Sequence, residues 1–579
     1  MGASNRWLPL LLPLSAGLAS AGITWNRWIT PFVDSSREMQ VPARLASGER
    51  LYRDVVYHYG PVGPWCGALL LKIFGNRWSV LQAMCALTSA VLFFAMYRLT
   101  RTAGSRLSAT AAVTAGAALC LGAPLGGAFL FPYSIDYLVA LASGAAVLAL
   151  VSGPPFRLRG ALGSVALGIC LASRVEIGLP TLLLVVISDV WSERDRRQGG
   201  LRIAAGGLAL GIAIYAFAFG GLSAGDLFPE GPGAVLSPPA EWLNVYRLVS
   251  GLDAPLEGLT RVVTSLALLG VALAGAWSFR KGPGPILWQA LVVLAAFSFF
   301  SPVGTLIDAN WPPLLAAAPA AAILFTLGML RKRLSSVARA RFLLFGYSAL
   351  VGSRVFLRLA YSQESTPYSV FALPALFAAS AVILIDLPSR FVESTTAFRR
   401  NVAAVFFGVA CVGLFRLARI SLPRRSLPIS TPAGALRLPP LQAVPTRMTL
   451  QFLEREARPG DRLAGFPEAG IFNFALGLEN PLREEQNLPG NLTPADENRV
   501  IGRLLRTQPR FVLLVNQPVS PFGRIAFGED YDRKLWAAVL ASYSPAASFG
   551  TSDIAARIGS KPFFIRVYER RASGPFQRP

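Results

Sequence analysis

The sequence is poor in the groups from which many soluble catalytic and metal sites are built. A single histidine, His58, stands in 579 residues, and one imidazole with no second ligand nearby is a poor metal site. Five cysteines, Cys66, Cys85, Cys120, Cys170 and Cys411, lie mostly within apolar runs and show neither metal nor disulfide spacing. They say little about redox compartment. Charged residues make up only 15% of the chain, well below the roughly 25% usual in soluble domains. The first 420 residues lack the alternating polar and apolar pattern of strands, which disfavours a β-barrel. No small-residue cleavage site followed by a soluble domain trails the first apolar run, so that run reads as a retained span. Internal repeats are also missing, so the sequence gives no support to the paired halves common in transporters.

What remains is apolar. With 53% hydrophobic residues and a mean hydropathy of +0.48, the chain reads as a polytopic α-helical membrane protein. Apolar runs long enough to cross a core of about 30 Å recur. Candidate spans are 7–25, 79–97, 108–125, 135–152, 160–173, 177–192, 201–220, 260–278, 285–301, 312–330, 341–359, 368–386 and 402–418, about thirteen transmembrane helices. Arg174, Glu176 and Pro180 break the fifth from the sixth and suit a hairpin tip.

The net charge of +23 would point a soluble domain towards nucleic acid. Here it sits largely in alternate loops, at Arg98, Arg101 and Arg106, at Arg157 and Arg159, at Arg194, Arg196 and Arg197, at Arg280 and Lys281, at Arg331, Lys332 and Arg333, and at Arg399 and Arg400. That alternation is topology information and fits a cytoplasmic N-terminus, with no nucleic-acid partner expected. The cluster RLARISLPRR at 416–425 runs against the rule. Residues 1–420 then form the membrane domain, with a first outer loop at 26–78. A proline-rich linker is expected at 421–445, and a soluble α/β domain at 446–579 lies on the outer side. That domain shows no catalytic motif.

The densest polar stretch of the membrane part is the first outer loop, DSSREMQVPARLASGERLYRDVVYHYGPVGPWCGALLLKIFG at 34–75. It exceeds what a connection needs. Asp34, Glu38 and Asp54 supply carboxylates. Arg53, Tyr57, His58 and Tyr59 supply cations and donors, and WCGALLLKIFG at 65–75 reads as an interfacial amphipathic stretch.

The wording G-x-x-L-Y-R-D followed by Y-x-Y-G-P, preceded by an acidic residue just after the first span, resembles the GT-C class of membrane glycosyltransferases. Within that class it is most similar to the bacterial branch of protein O-mannosyltransferases and aminoarabinose or arabinosyl transferases. The resemblance covers the layout of about 420 residues and the wording of about 45. It implies inverting transfer of a sugar from a polyprenyl-phosphate donor to a glycan, lipid or protein acceptor outside a bacterial inner membrane. A hydroxyl acceptor needs a carboxylate to take its proton, and a phosphate leaving group needs guanidinium donors.

By position the resemblance gives Asp34 the base role, with Glu38 as a second acid or partner and Asp54 as the alternative base. For donor phosphate and sugar the candidates are Arg53, Tyr57, His58, Tyr59, Arg174, Glu176, Arg354 and Arg358. The family's Asp-Glu pair is here Asp34-Ser35, which leaves the acceptor type and the involvement of a divalent metal open; no other cofactor is expected.

Each of these residues also has a plainer reading. Asp34 caps the helix that follows it, Asp54 pairs with Arg50 or Arg53, and Arg174 pairs with Glu176 to close a hairpin tip. Arg354 and Arg358 snorkel to headgroups, and the three aromatic residues form an interfacial belt. Asp308 is a helix cap. The rival function is a transporter or flippase, which predicts ionisable residues at mid-span; a structural or assembly role leaves the dense loop unexplained.

Overall fold

A computed structural model describes residues 8–28, 31–32, 34–121, 129–132, 135–192, 199–223, 238–260, 262–263, 266–267, 313–330, 333–353, 368–390, 395–421, 427–551 and 563–571. Its helices are α1 (Leu8–Thr24), α2 (Ser35–Ala46), α3 (Val62–Phe74), α4 (Trp78–Ala103), α5 (Arg106–Cys120), α6 (Ile135–Ser152), α7 (Arg159–Ser173), α8 (Val175–Val190) and α9 (Gly200–Phe219). They continue with α10 (Ala240–Ser250), α11 (Pro313–Met329), α12 (Ser336–Ser353), α13 (Tyr368–Ala381) and α14 (Thr395–Arg416).

Eleven of the thirteen expected spans fall on these helices. The spans 260–278 and 285–301 lie mostly or wholly outside the described residues, as do Arg354, Arg358 and Asp308. Among the described residues, four helices are both long and apolar enough to cross a membrane, namely Trp78–Ala103, Ile135–Ser152, Gly200–Phe219 and Phe398–Arg419. Six more are shorter apolar helices, among them Arg106–Cys120 and Arg159–Ser173, so a total of thirteen spans stays an expectation.

The bundle runs up and down. Gly60 donates its N–H to Ser173 O where α7 meets the first loop, while Arg341 Nε donates to Ala103 O at the other end of α4. The interior is packed with alanine, leucine and phenylalanine from α4, α5, α6, α12 and α13. Outward, Leu87 and Phe94 on α4, Leu183 on α8, Ile212 and Phe217 on α9 and Leu324 on α11 are all exposed. Scattered exposed leucines are ordinary in a soluble protein, but apolar side chains turned out on successive helices form the surface that lipid covers.

Helix α3 holds WCGALLLKIF as the interfacial reading expects, with Leu69, Ile73 and Phe74 exposed and Gly67 and Leu71 buried. Two glycines let the loop lie close to the bundle. A Cβ at Gly60 would strike the carbonyls of Ala172 and Ser173, and one at Gly63 would strike the Asp136 carboxylate.

The stretch expected as a linker is not a tether. Within it, β1 (Leu427–Thr431) and β2 (Gly434–Leu438) pair as an antiparallel hairpin. Helix α15 (Pro440–Glu456) begins on the prolines themselves, because Pro440 stands in the first turn, where no N–H is missed. Beyond it lie β3 (Leu463–Phe466), α16 (Gly470–Leu476), α17 (Pro494–Thr507), β4 (Phe511–Val515), α18 (Arg533–Ser542), β5 (Tyr543–Gly550) and β6 (Phe564–Arg570). Thr493 and Asp496 form a capping box that starts α17. The sheet order is β3-β4-β6-β5, with β3 and β4 parallel and the rest antiparallel.

This domain is not separate from the membrane part. Trp28, Phe32 and Trp78 share one buried cluster with Phe472, Phe511 and Phe563. The backbone N–H of Val56 donates to Arg483 O at 2.9 Å.

Candidate active site

The first outer loop is gripped from both sides. Helix α2 starts at Asp34, whose φ of 56° and ψ of −36° lie in a region costly for a non-glycine residue, about 1–3 kcal/mol. Such a conformation persists only where its surroundings impose it. Here the Asp34 N–H donates to Glu468 Oε2 at 3.1 Å, and Gln486 Nε2 donates to Asp34 Oδ1 at 3.0 Å. Arg37 Nη1 stands 3.4 Å from the same oxygen. The Asp34 side chain makes no cap hydrogen bond to its own helix, so the plain capping reading fails.

Glu38, one turn on, is enclosed. It receives Arg37 Nη2 at 2.9 Å, the Tyr57 hydroxyl at 3.2 Å and the N–H of Ile135 at 3.2 Å. Burial raises its proton affinity, with Arg37 beside it pulling the other way. Tyr57 also donates to Asp136 Oδ2, and Gly63 N–H donates to Asp136 Oδ1 at 2.8 Å. Burial, then the Asp136 and Glu38 carboxylates, keeps the Tyr57 phenol protonated far above its ordinary range.

Arg174 sits between α7 and α8, its guanidinium 3.4 Å from the centre of the Tyr59 ring and its Nη1 3.3 Å from Glu176 Oε1. Tyr59 therefore lies between two cations, because Arg37 approaches the same ring at 5.1 Å. His58 is buried against Trp242 of α10, with ring centroids 5.1 Å apart. Trp242 Nε1 in turn donates to Asn491.

The loop's candidates thus separate. Asp34, Glu38, Tyr57, Tyr59 and Arg174 converge with Arg37, while Glu176 flanks them through Arg174. His58 faces α10. Asp54 and Arg53 do not join them: the Asp54 carboxylate accepts from Arg50 N–H at 2.8 Å and Arg53 Nε at 3.1 Å, all within its own exposed turn. The Arg50 N–H and the Arg53 guanidinium lower its proton affinity against the effect of burial. Asp54 is a turn-stabilising carboxylate, which is the plainer of its two readings.

Glu468, Gln486, Arg37 and Asp136 escaped the sequence reading. Glu468 is fully buried and accepts from Ser36 Oγ at 2.8 Å, Gln486 Nε2 at 2.9 Å and the Asp34 and Arg37 N–H groups. Burial, then the Asp34 carboxylate, pushes it up to about 8. A signal did exist in REEQN at 483–487, a polar run inside a domain otherwise built of short apolar pieces.

Exposure distinguishes the carboxylates. The Asp34 side chain keeps 18% of its surface, against 2% for Glu38, and Asp136 and Glu468 have none. Asp34 is the acid of this group that an incoming molecule can reach.

No family model matches the sequence, and no curated protein matches it. Among solved structures, ArnT from Cupriavidus metallidurans bound to undecaprenyl phosphate matches at 13% identity and a TM-score of 0.51, covering 99% of this chain and 100% of that one. The chain has the GT-C fold. The Archaeoglobus fulgidus oligosaccharyltransferase in its apo form aligns at a TM-score of 0.47 and 13% identity, over 89% of this chain and 70% of that one. Its form tethered to an acceptor peptide aligns at 0.44 and 14%, over 98% and 74%. The match to ArnT covers both the bundle and the C-terminal domain of this chain.

Proposed function

We propose that this protein is an inverting glycosyltransferase that moves a sugar from a polyprenyl-phosphate donor to a hydroxyl acceptor. One observation carries the reading: of the four carboxylates Asp34, Glu38, Asp136 and Glu468, Asp34 is the one that keeps exposed surface, at the polar end of a bundle of GT-C fold, held in a strained backbone by groups that fix its direction. Asp34 takes the acceptor proton as the acceptor oxygen attacks the anomeric carbon and the carrier phosphate leaves from the opposite face. Arg174, with Arg354 and Arg358, meets that phosphate, and Tyr59, whose ring lies against Arg174, keeps that guanidinium in place at the donor site.

Glu38, Asp136 and Tyr57 serve the site by anchoring Arg37 and the loop. The oxygens of Glu38 and Glu468 already accept from protein N–H and O–H groups, so a divalent metal, if the reaction uses one, would meet Asp34. Among the described residues, no group of three or more His, Cys, Asp or Glu is placed to hold one.

The reading puts the protein in a bacterial inner membrane with its N-terminus cytoplasmic. The first loop and the C-terminal domain then face the periplasm, and the exposed face of α3 rests in the membrane interface. The match to ArnT, whose structure holds undecaprenyl phosphate, supports a polyprenyl carrier as the donor's lipid.

The test is purified protein in lipid with a panel of polyprenyl-phosphate sugars, reading sugar release and the anomeric configuration of the product. Release with inversion supports the reading; a wild type that neither binds nor turns over any of them overturns it.

A further inference from the structure

We propose that the C-terminal domain positions the base: Glu468 and Gln486 hold Asp34, so that the extramembrane domain is part of the catalytic device rather than an appended acceptor-binding module. The inference rests on the reading of Asp34 as the base. Its observations come from the other domain.

The parallel pair β3 and β4 ends on one edge of the sheet, where open α/β sheets commonly hold ligands. Glu468 follows β3 there and Gln517 follows β4. What they hold is Phe32 and residues 34–37 of this chain. Phe32 is inserted between Phe472 and Phe563, at centroid distances of 6.1 and 5.2 Å. Gln517 Nε2 donates to Phe32 O at 3.4 Å and to Glu468 O at 3.0 Å. Asn487 N–H donates to Pro467 O at 2.7 Å, which ties the Glu468 turn to the Gln486 segment.

The two segments thus act as one clamp. One jaw takes the Asp34 N–H, the Ser36 hydroxyl and the Arg37 N–H; the other takes the Asp34 carboxylate and gives Arg37 Nη1 an acceptor at 2.6 Å. Glu468 accepts the Asp34 N–H, so its removal takes away a contact that holds Asp34 in its positive-φ conformation. Glu468 and Gln486 are positioning residues, since they act through Asp34. The charged groups facing Glu468 are Asp34 and Arg37 on α2; Glu485, in the Gln486 segment, is paired with Arg44 at 2.6 Å.

The test uses the full chain in lipid, comparing wild type with Glu468→Ala and Glu468→Gln in donor turnover, and hydrogen exchange of the 34–46 segment by mass spectrometry. Glu468→Ala is expected to lower kcat about tenfold to a hundredfold with the donor KM within about twofold, because a misplaced base loses rate and not donor binding. Exchange at 34–37 accelerates while α4 and α6 stay protected. Glu468→Gln is expected to lose the change in kcat near pH 8 that ionisation of Glu468 beside Asp34 would bring to the wild type. Wild-type kcat, pH profile and exchange in both variants would overturn the proposal. A wild type without any transfer, whose 34–37 exchange still accelerates on Glu468→Ala, sinks the transferase reading and leaves the anchoring of Asp34 standing.

Discussion

The two ends of the bundle treat charge in opposite ways. At the end away from the first loop, buried carboxylates are settled locally: Asp189 pairs with Arg339 at 3.0 Å, and Asp386 accepts from the N–H of Ser105 and, at 2.5 Å, from the Ser108 hydroxyl at the start of α5. Each partnership closes one helix end onto another. At the loop end, Asp34, Glu38, Asp136 and Glu468 outnumber Arg37 and Arg174, and the groups come from the loop, the bundle and the C-terminal domain together. Burying acids in excess of cations is costly, and a protein keeps such an arrangement where it needs a poised proton acceptor.

The largest effect expected from this contrast is functional. Asp34→Asn removes the proposed base and is expected to lower turnover by about 10²–10⁴-fold, whereas Asp189→Asn at the far end is expected to leave the turnover of the folded protein at the wild-type rate. Both are read by kcat in lipid after checking that the variant is folded.

Next comes stability. Arg37→Ala strands the buried Glu38 and is expected to cost about 3–5 kcal/mol, and Arg339→Ala strands Asp189 at a similar cost. Denaturation midpoints check both, and only the first also lowers kcat. Gly63→Ala forces a methyl group against the Asp136 carboxylate. A cost of about 1–3 kcal/mol is expected, with a fall in kcat because the Tyr57 and Glu38 contacts move with it.

The pH dependence is smaller and has a definite sign. Glu468 rises from an ordinary value of 4.5 to about 8 in the folded protein. The native state therefore keeps a proton that the unfolded chain gives up, so stability present below pH 4.5 is lost as pH climbs towards 8. The melting temperature of Glu468→Gln should fall less across that window than that of wild type. Smallest of all, Asp54→Asn is expected to change stability by less than about 1 kcal/mol and kcat not at all, since its ion pair is exposed.

Much of the fold was legible because membrane helices advertise themselves by length. Span 135–152 coincides with α6, and the break at Arg174 appears as the single residue between α7 and α8. The hairpin at 427–438 was not legible: its prolines suggested a tether, whereas Pro428 sits on a two-stranded edge where a missing N–H costs little. Strand β5, YSPAASFG, lacks the β-branched residues that mark a strand and is set by pairing with β6.

The site divides in the same way. Asp34, Glu38, Tyr57 and Tyr59 lie close in sequence and share one polar loop. Glu468 and Gln486 lie more than 400 residues away, and nothing local tells a buried acceptor from a surface acid. Asp136 opens an apolar helix, where an acid reads as an ordinary first-turn residue.

The central claim is that Asp34 is the base and that its removal spares the donor site. The most direct measurement is donor affinity and single-turnover transfer for Asp34→Asn beside wild type, in the same lipid and at the same pH. Donor affinity within about twofold of wild type with transfer lost by 10²-fold or more is the predicted result. Transfer at the wild-type rate with the carboxylate gone would contradict the account.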